Sequence, residues 1–311
     1  MSVDGHCVLV GTDGSWHSGP VLDVAAQEAS NRGLPLLVVS VVRTVPDQAR
    51  RRRESQRGNH DRDRELTDWR LLEAVSRVRG VHPALEIRTH LLPAAGLPWG
   101  VDGAKNRPEP DLLVVGARGS HDQPAFERGT VSRDLVRATA CPVLVVPESA
   151  RVRPANPATR PDAVVAAVAD DALGPEVLRA AAEHAAATLA PLHVVHCYTT
   201  ASGETDEEAR STAAAWCDRL VRALGVADMW GSLIPPHLVV TREDPARALT
   251  RLSATASMIV LGMHRLVVLA GLSSQSVSRE VVGGSRCPVL LVPPGRGSLR
   301  SPVARVTRIT P

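Results

Sequence analysis

The chain reads as an α/β protein built from two tandem doubly wound domains, each a five-stranded parallel sheet with helices on both faces. Two observations carry this reading. Apolar runs of strand length alternate with segments whose apolar residues recur at helix spacing. Alternation of that kind implies a parallel sheet covered on both sides. The second observation is an internal repeat. Pro142-Val-Leu-Val-Val-Pro147 returns as Pro288-Val-Leu-Leu-Val-Pro293, Val131-Ser-Arg133 as Val277-Ser-Arg279 and Gly116 as Gly262, all at an offset of 146, whereas Pro35 matches Pro191 and Ala25-Ala26 matches Ala181-Ala182 at 156. A shorter central connection in the second copy accounts for both offsets.

Taken in order, the first copy is expected to place strands near 6–12, 36–42, 84–91, 111–116 and 142–146. Between the first two, Val21, Leu22, Ala25, Ala26 and Ala29 fall at helix spacing, and Leu66, Trp69, Leu72 and Val75 do so before the third. Trp69 and Trp216 hold nearly equivalent places in the second helix of each copy, and both are read as packing toward the core or sheet. Residues 148–161, with Pro154, Pro157 and Pro161, read as a linker, and residues 294–311 as a loose basic tail. The domains are therefore expected at 1–147 and 162–293. Residues 45–64, including Arg50 to Arg53, read as a solvated excursion.

Composition bounds the function. With 311 residues, 44% hydrophobic and 22% charged, the chain has room for two full cores. A net charge of +3 is too small to argue for nucleic acid, and 5 Trp, 1 Tyr and 1 Phe leave little for stacking bases. Lys105 is the sole lysine, and the Arg, Ala, Val and Pro usage points to a high-GC bacterial genome. Neither a signal peptide nor an apolar run of roughly 18 residues is evident, so a cytoplasmic protein without a membrane span is expected. The five cysteines form no C-x-x-C pair, and Cys7, Cys141, Cys197 and Cys287 lie in or beside apolar strands, as buried thiols would.

One loop carries chemistry. The strand Asp111-Leu-Leu-Val-Val115 feeds into Gly116-Ala-Arg-Gly119, and after nine residues come Gly129-Thr130-Val131-Ser132 and a helix-like run. Glycines let backbone approach a ligand closely, and a helix N-terminus offers unpaired N–H groups to an anion. The spacing Gly, two residues, Gly, nine residues, Gly, Ser or Thr resembles the nucleotide motif of the universal stress protein family. The opening strand Cys7-Val-Leu-Val10 with Gly11-Thr-Asp13 and the closing strand Cys141-Pro-Val-Leu-Val-Val-Pro147 also resemble that family's ends.

The resemblance implies strand order 3-2-1-4-5 in each domain and a ligand crevice between strands one and four, where the order reverses. It implies ATP, with Mg²⁺ on the phosphates, in a nucleotide-responsive regulator of the stress response. Gly11, Thr12, Asp13 and, through its backbone, Val41 would line the adenosine end. Gly116, Gly119, Gly129, Thr130 and Val131 would wrap ribose and phosphates, with Arg118 and Arg128 adding charge. Asp13 also suits a turn and helix N-cap, so both readings of it stand. A protein partner of unknown identity, intramolecular pairing of the two domains through their closing strands, and a homodimer are expected as well.

The second copy keeps the frame and loses the cradle: Arg265 replaces Gly119 and Gln275 replaces Gly129, while Asp170 is read as the match of Asp13. No G-x-x-x-x-G-K-[ST] and no G-x-S-x-G occurs. His193 and His196, three apart on a strand, should point to opposite faces and share no metal. Nothing assembles a nucleophile with its base, so no catalytic residue is assigned. A scaffold without nucleotide affinity and a weak ATPase are the alternatives.

Overall fold

A computed structural model describes residues 6–12, 18–42, 69, 71–93, 110–117, 141–150, 162–226, 235–263 and 277–295. The chain divides into two compact units, Met1–Thr139 and Ala140–Pro311.

In the first unit, β1 (Val8–Thr12), α1 (Ser18–Arg32), β2 (Leu36–Val42), α2 (71–81), β3 (Ile87–Pro93) and β4 (Leu112–Gly116) follow in sequence. Its strands are parallel. β1 lies between β2 and β4, with Val8↔Leu36 on one side and Val8↔Leu112 on the other, and β3 lies outside β2. A strand flanked on both sides and covered on both faces has no solvated face. Val8, Val10, Leu112, Leu113 and Val114 are accordingly fully buried.

Helix α1 buries Val21, Leu22, Ala25, Ala26 and Ala29, the expected stripe. Gly33 ends it in the left-handed region, φ 61°, while the Leu34 N–H reaches back 3.0 Å to the Ala29 carbonyl. On the same helix the Arg32 guanidinium donates to Glu28 Oε2 at 2.8 and 3.1 Å, with both side chains buried.

Helix α2 departs from expectation. Its buried face is Leu71, Ala74 and Val78, whereas Trp69 and Leu72 are 59% and 66% exposed. Two apolar stripes run along this segment, and burial selected the one that places Leu71 and Ala74 a residue before Leu72 and Val75. The face is fixed in part by Arg77, whose Nε and Nη2 donate to the Asp23 carboxylate at 2.8 and 2.6 Å, tying α2 to α1. The third strand also starts later than expected. Leu85 N–H bonds the His82 carbonyl in a turn, and pairing with β2 begins at Ile87.

The second unit contains β5 (Val143–Val146), β6 (Ala163–Ala167), α3 (Gly174–Thr188), β7 (Leu192–Cys197), α4 (Asp206–Ala223), β8 (His237–Thr241), α5 (Pro245–Leu252), β9 (Ala256–Gly262), α6 (Val277–Gly284) and β10 (Val289–Val292). Parallel pairing runs β8-β7-β6-β9-β10. β5 then pairs antiparallel with β10 through Val289↔Val145, Leu290↔Leu144 and Leu291↔Val143. The closing strands of the two sequence repeats thus satisfy each other's backbone groups, which removes an exposed edge.

The helix starts in this unit are locally encoded. Thr205 and Glu208 form a reciprocal capping box on α4. The Asp244 side chain accepts from Arg247 N–H at 3.0 Å ahead of Pro245 on α5. Trp216 of α4 stacks on His196 of β7, ring centroids 4.8 Å apart, so of the two tryptophans only this one packs toward the sheet. All five cysteines are free thiols. No described helix is long and apolar enough to cross a membrane.

Candidate functional site

Register brings the first crevice together. Val10 pairs with Val114, so the continuing residues Gly11 and Thr12 of β1 and Gly116 of β4 stand at neighbouring strand ends although about a hundred residues separate them in sequence. Thr12 pairs with Ser40 on the other side, and Val41 follows on β2. Adjacent parallel strands whose chains leave in opposite directions open a gap at their carboxyl ends, because the crossovers on the two sides diverge. Gly11 and Gly116 are half-buried there and Thr12 is buried. Four of the expected residues, Gly11, Thr12, Val41 and Gly116, therefore lie at the carboxyl ends of β1, β2 and β4. Asp13, Arg118, Gly119, Arg128, Gly129, Thr130 and Val131 lie outside the described residues.

In the second unit the chain itself packs against the corresponding strand end. Gly262, the repeat partner of Gly116, faces Leu173. A Cβ on Gly262 would stand 2.9 Å from Leu173 Cδ1 and 3.2 Å from its Cβ, so that leucine, itself buried, fills the space over the strand end. Close to it, His196 Nδ1–H donates to the Val168 carbonyl at 2.9 Å, and its ring lies against Trp216. Trp216 also covers the start of α3, 3.8 Å from where a Gly174 Cβ would sit.

The N-terminus of α3 is likewise taken. Asp171 Oδ1 accepts from Leu173 N–H at 2.9 Å and Gly174 N–H at 3.0 Å, so a carboxylate of the chain already meets the donors an anionic ligand would use. Ser278 Oγ donates to the Gly262 carbonyl at 3.1 Å, joining the first turn of α6 to the end of β9.

The register also corrects the match of Asp13 with Asp170. Val8 and Val164 both precede their partner strands by the same count, through Val8↔Leu36 and Val164↔Leu192, and α1 and α3 begin at Ser18 and Gly174, so the offset is 156 before and after the turn. Ala169 then corresponds to Asp13, and the exposed Asp170 corresponds to Gly14. The match by residue type ran one position out of step.

Sequence reasoning found Arg265 and Gln275 as losses in the second copy, and both lie outside the described residues. It missed Leu173, His196 and Trp216. Leu173 and His196 replace His17 and Ser40 of the first copy, a bulk change the repeat alignment displays but that becomes meaningful only when the strand ends are brought together. Cys197 falls at the place of Val41, and its thiol is pushed up to about 11 by burial first, then by Glu243 and Asp244. A thiol held protonated in this way is a poor nucleophile. His193 and His196 do diverge: His193 packs on the His237 ring, centroids 5.1 Å apart, and His196 on Trp216. Among the described residues no three His, Cys, Asp or Glu side chains group as a metal site.

Comparison with known proteins agrees with the repeat. The model of the universal stress protein family matches residues 6–147 and again 162–293. Universal stress protein Rv2623 of Mycobacterium tuberculosis is 28% identical over 295 residues, covering 91% of this chain and 95% of its own. Universal stress protein Rv2005c of the same organism is 26% identical over 300 residues, covering 92% and 96%. Among solved structures, a universal stress protein of Archaeoglobus fulgidus aligns with a TM-score of 0.61 at 17% identity, over 93% of this chain and 98% of that one. A putative universal stress protein of Pseudomonas aeruginosa aligns with a TM-score of 0.52 at 15% identity, over 93% and 92%. The chain belongs to the universal stress protein family, with two copies of the family's α/β domain in tandem.

Proposed function

We propose that the first domain binds an adenine nucleotide, ATP with Mg²⁺ on its phosphates, and that the chain is a nucleotide-responsive regulator of the stress response. The observation that carries the reading is the β1–β4 pairing, which sets Gly11 and Thr12 beside Gly116 at the point where strand order reverses. In the sequence Gly116 is followed by Gly119 and, after nine intervening residues, by Gly129-Thr130, glycines that would let backbone approach a ligand closely. Asp13, Arg118, Arg128 and Val131 complete the assignment, with Val41 meeting the adenosine end through its backbone. The second domain, whose β9 end packs against Leu173, serves as a structural or partner-binding copy.

Isothermal calorimetry and thermal unfolding with ATP, AMP and cyclic AMP test this. At ligand a hundredfold above Kd the stabilisation is about 2.7 kcal/mol, or several degrees for a domain of this size. Gly119→Arg, which copies Arg265 of the second domain, is expected to abolish both the heat and the shift. Absence of both signals in the wild-type chain would select the nucleotide-free scaffold instead. Phosphate release that depends on Asp13 would select the ATPase.

A further inference from the structure

In the second unit α5 and α6 border an open cleft of about 600 Å³ lined by Arg247, Arg251 and Arg286. We propose that this cleft is a docking site for an acidic protein segment. The inference is independent of nucleotide binding by the first domain.

Two of the three charges are not explained locally. Arg251, in the last turn of α5, complements the helix dipole and donates to Glu243 at 2.8 Å, and Arg286 follows the end of α6. Arg247 is different. It stands in the first turn of α5, three residues after the N-cap Asp244, where the dipole disfavours a cation. Neither Arg247 nor Arg286 has a carboxylate within ion-pair distance among the described residues. The Arg251–Glu243 pair is itself exposed, so it exchanges readily for another carboxylate.

Hydrogen bonds and close packing join the elements that border the cleft. Ser253 Oγ donates to the Thr250 carbonyl at 2.7 Å and accepts from Arg286 N–H at 3.0 Å, so the chain entering β10 is fastened to the end of α5. Gly284 closes the other side: a Cβ there would stand 3.2 Å from Thr250 Cγ2, so the absence of a side chain lets the two helices approach. Ala246, Ala254 and Gly284 line the cleft beside the arginines. Small residues there leave room for an incoming backbone.

Shape and chemistry choose the occupant. The cleft is far larger than one inorganic anion and open along its length, whereas small-molecule sites enclose most of their ligand. No aromatic side chain is among the described residues that line it, which disfavours single-stranded nucleic acid. Guanidinium groups pair with carboxylates through two parallel hydrogen bonds, so a segment rich in Asp and Glu fits three arginines along two walls. Glu280, on the α6 side, excludes a uniformly acidic fit there and favours a basic or neutral residue at one end of the segment.

Fluorescence anisotropy of a labelled peptide of seven glutamates ending in one lysine, the residue placed to meet Glu280, tests the proposal with the full chain. Binding that weakens as salt rises is expected. The double variant Arg247→Glu, Arg286→Glu should bind at least about tenfold more weakly. Ala254→Glu, which puts a like charge on the exposed lining, should do the same with its arginines intact. Replacing Arg50, Arg51, Arg52 and Arg53 with alanine should leave binding unchanged. All these positions are charged or exposed, and circular dichroism checks that the variants keep their fold. Failure of the wild-type chain to bind, equal binding by the double variant, loss only in the Arg50–Arg53 variant, or displacement by inorganic phosphate or an oligonucleotide as readily as by unlabelled peptide would each overturn the assignment.

Discussion

Leu189 and Gly33 occupy the same place in the two repeats, the residue that ends the first helix, and the structure predicts opposite responses to exchanging them. Gly33 has φ 61° and Leu189 has φ 53°. Both helices close the same way, Leu34 N–H on the Ala29 carbonyl at 3.0 Å and Ala190 N–H on the Ala185 carbonyl at 2.9 Å. The left-handed backbone costs a residue with a Cβ roughly 1–2 kcal/mol, a penalty glycine escapes. Glycine in turn loses more freedom on folding, about 0.5–1 kcal/mol. Leu189 is 77% exposed, so its side chain contributes little burial to set against this. Leu189→Gly should therefore stabilise the second unit by about 0.5–1 kcal/mol, a rise of about 1–4 °C in Tm. Gly33→Leu should lower stability by a similar amount. Urea denaturation of the full chain followed by circular dichroism, with both variants beside the wild type, measures the two signs. A destabilised Leu189→Gly chain, or shifts of the same sign in both variants, would refute the backbone-strain argument.

Glu28→Ala leaves the Arg32 guanidinium buried without its carboxylate, and a group that cannot deprotonate must open the helix to reach water; a loss of about 3–5 kcal/mol is expected in denaturant titrations, and a loss under about 1 kcal/mol would mean the pair is not buried in solution. Leu144→Ala and Leu290→Ala remove partners in the β5–β10 pairing and should each cost about 2–5 kcal/mol, with a coupling of about 0.5–3 kcal/mol in a double-mutant cycle; simple additivity would place the two side chains apart. Burial pushes the Cys197, Cys217 and Cys287 thiols up to about 11, so the folded state holds their protons more tightly than the unfolded chain does. The associated stability is present below about pH 9 and lost as pH rises toward 11. Thiol titration at pH 8 should accordingly be slow until the chain unfolds, with the half-buried Cys197 reacting first among the three; rapid labelling of all three in the native chain would contradict it.

The candidate site was legible to different depths at different residues. Gly11, Thr12 and Gly116 could be named from the family resemblance, and the register of β1 against β4 brings their strand ends together. Asp170 could not be matched correctly by residue type, because a turn of aspartates allows a slip of one that only the flanking strand and helix registers forbid. Leu173 was invisible as a functional residue, since an isolated leucine before a helix reads as ordinary core until its contact with Gly262 is seen.

The amino-acid sequence by itself determined the twofold repeat, the alternation of strands with helices and most of the helix signals, such as Thr205 with Glu208 and the Pro245 start after Asp244. These are local properties: periodicity, capping and turn chemistry act over a few residues and can be read where they stand. Only the tertiary structure decided which stripe of α2 is buried, leaving Trp69 and Leu72 exposed, and that Leu173 packs against Gly262 at the end of β9. Those outcomes depend on which surfaces meet across long sequence separations, and a segment with two apolar stripes carries no local record of which one the sheet will cover.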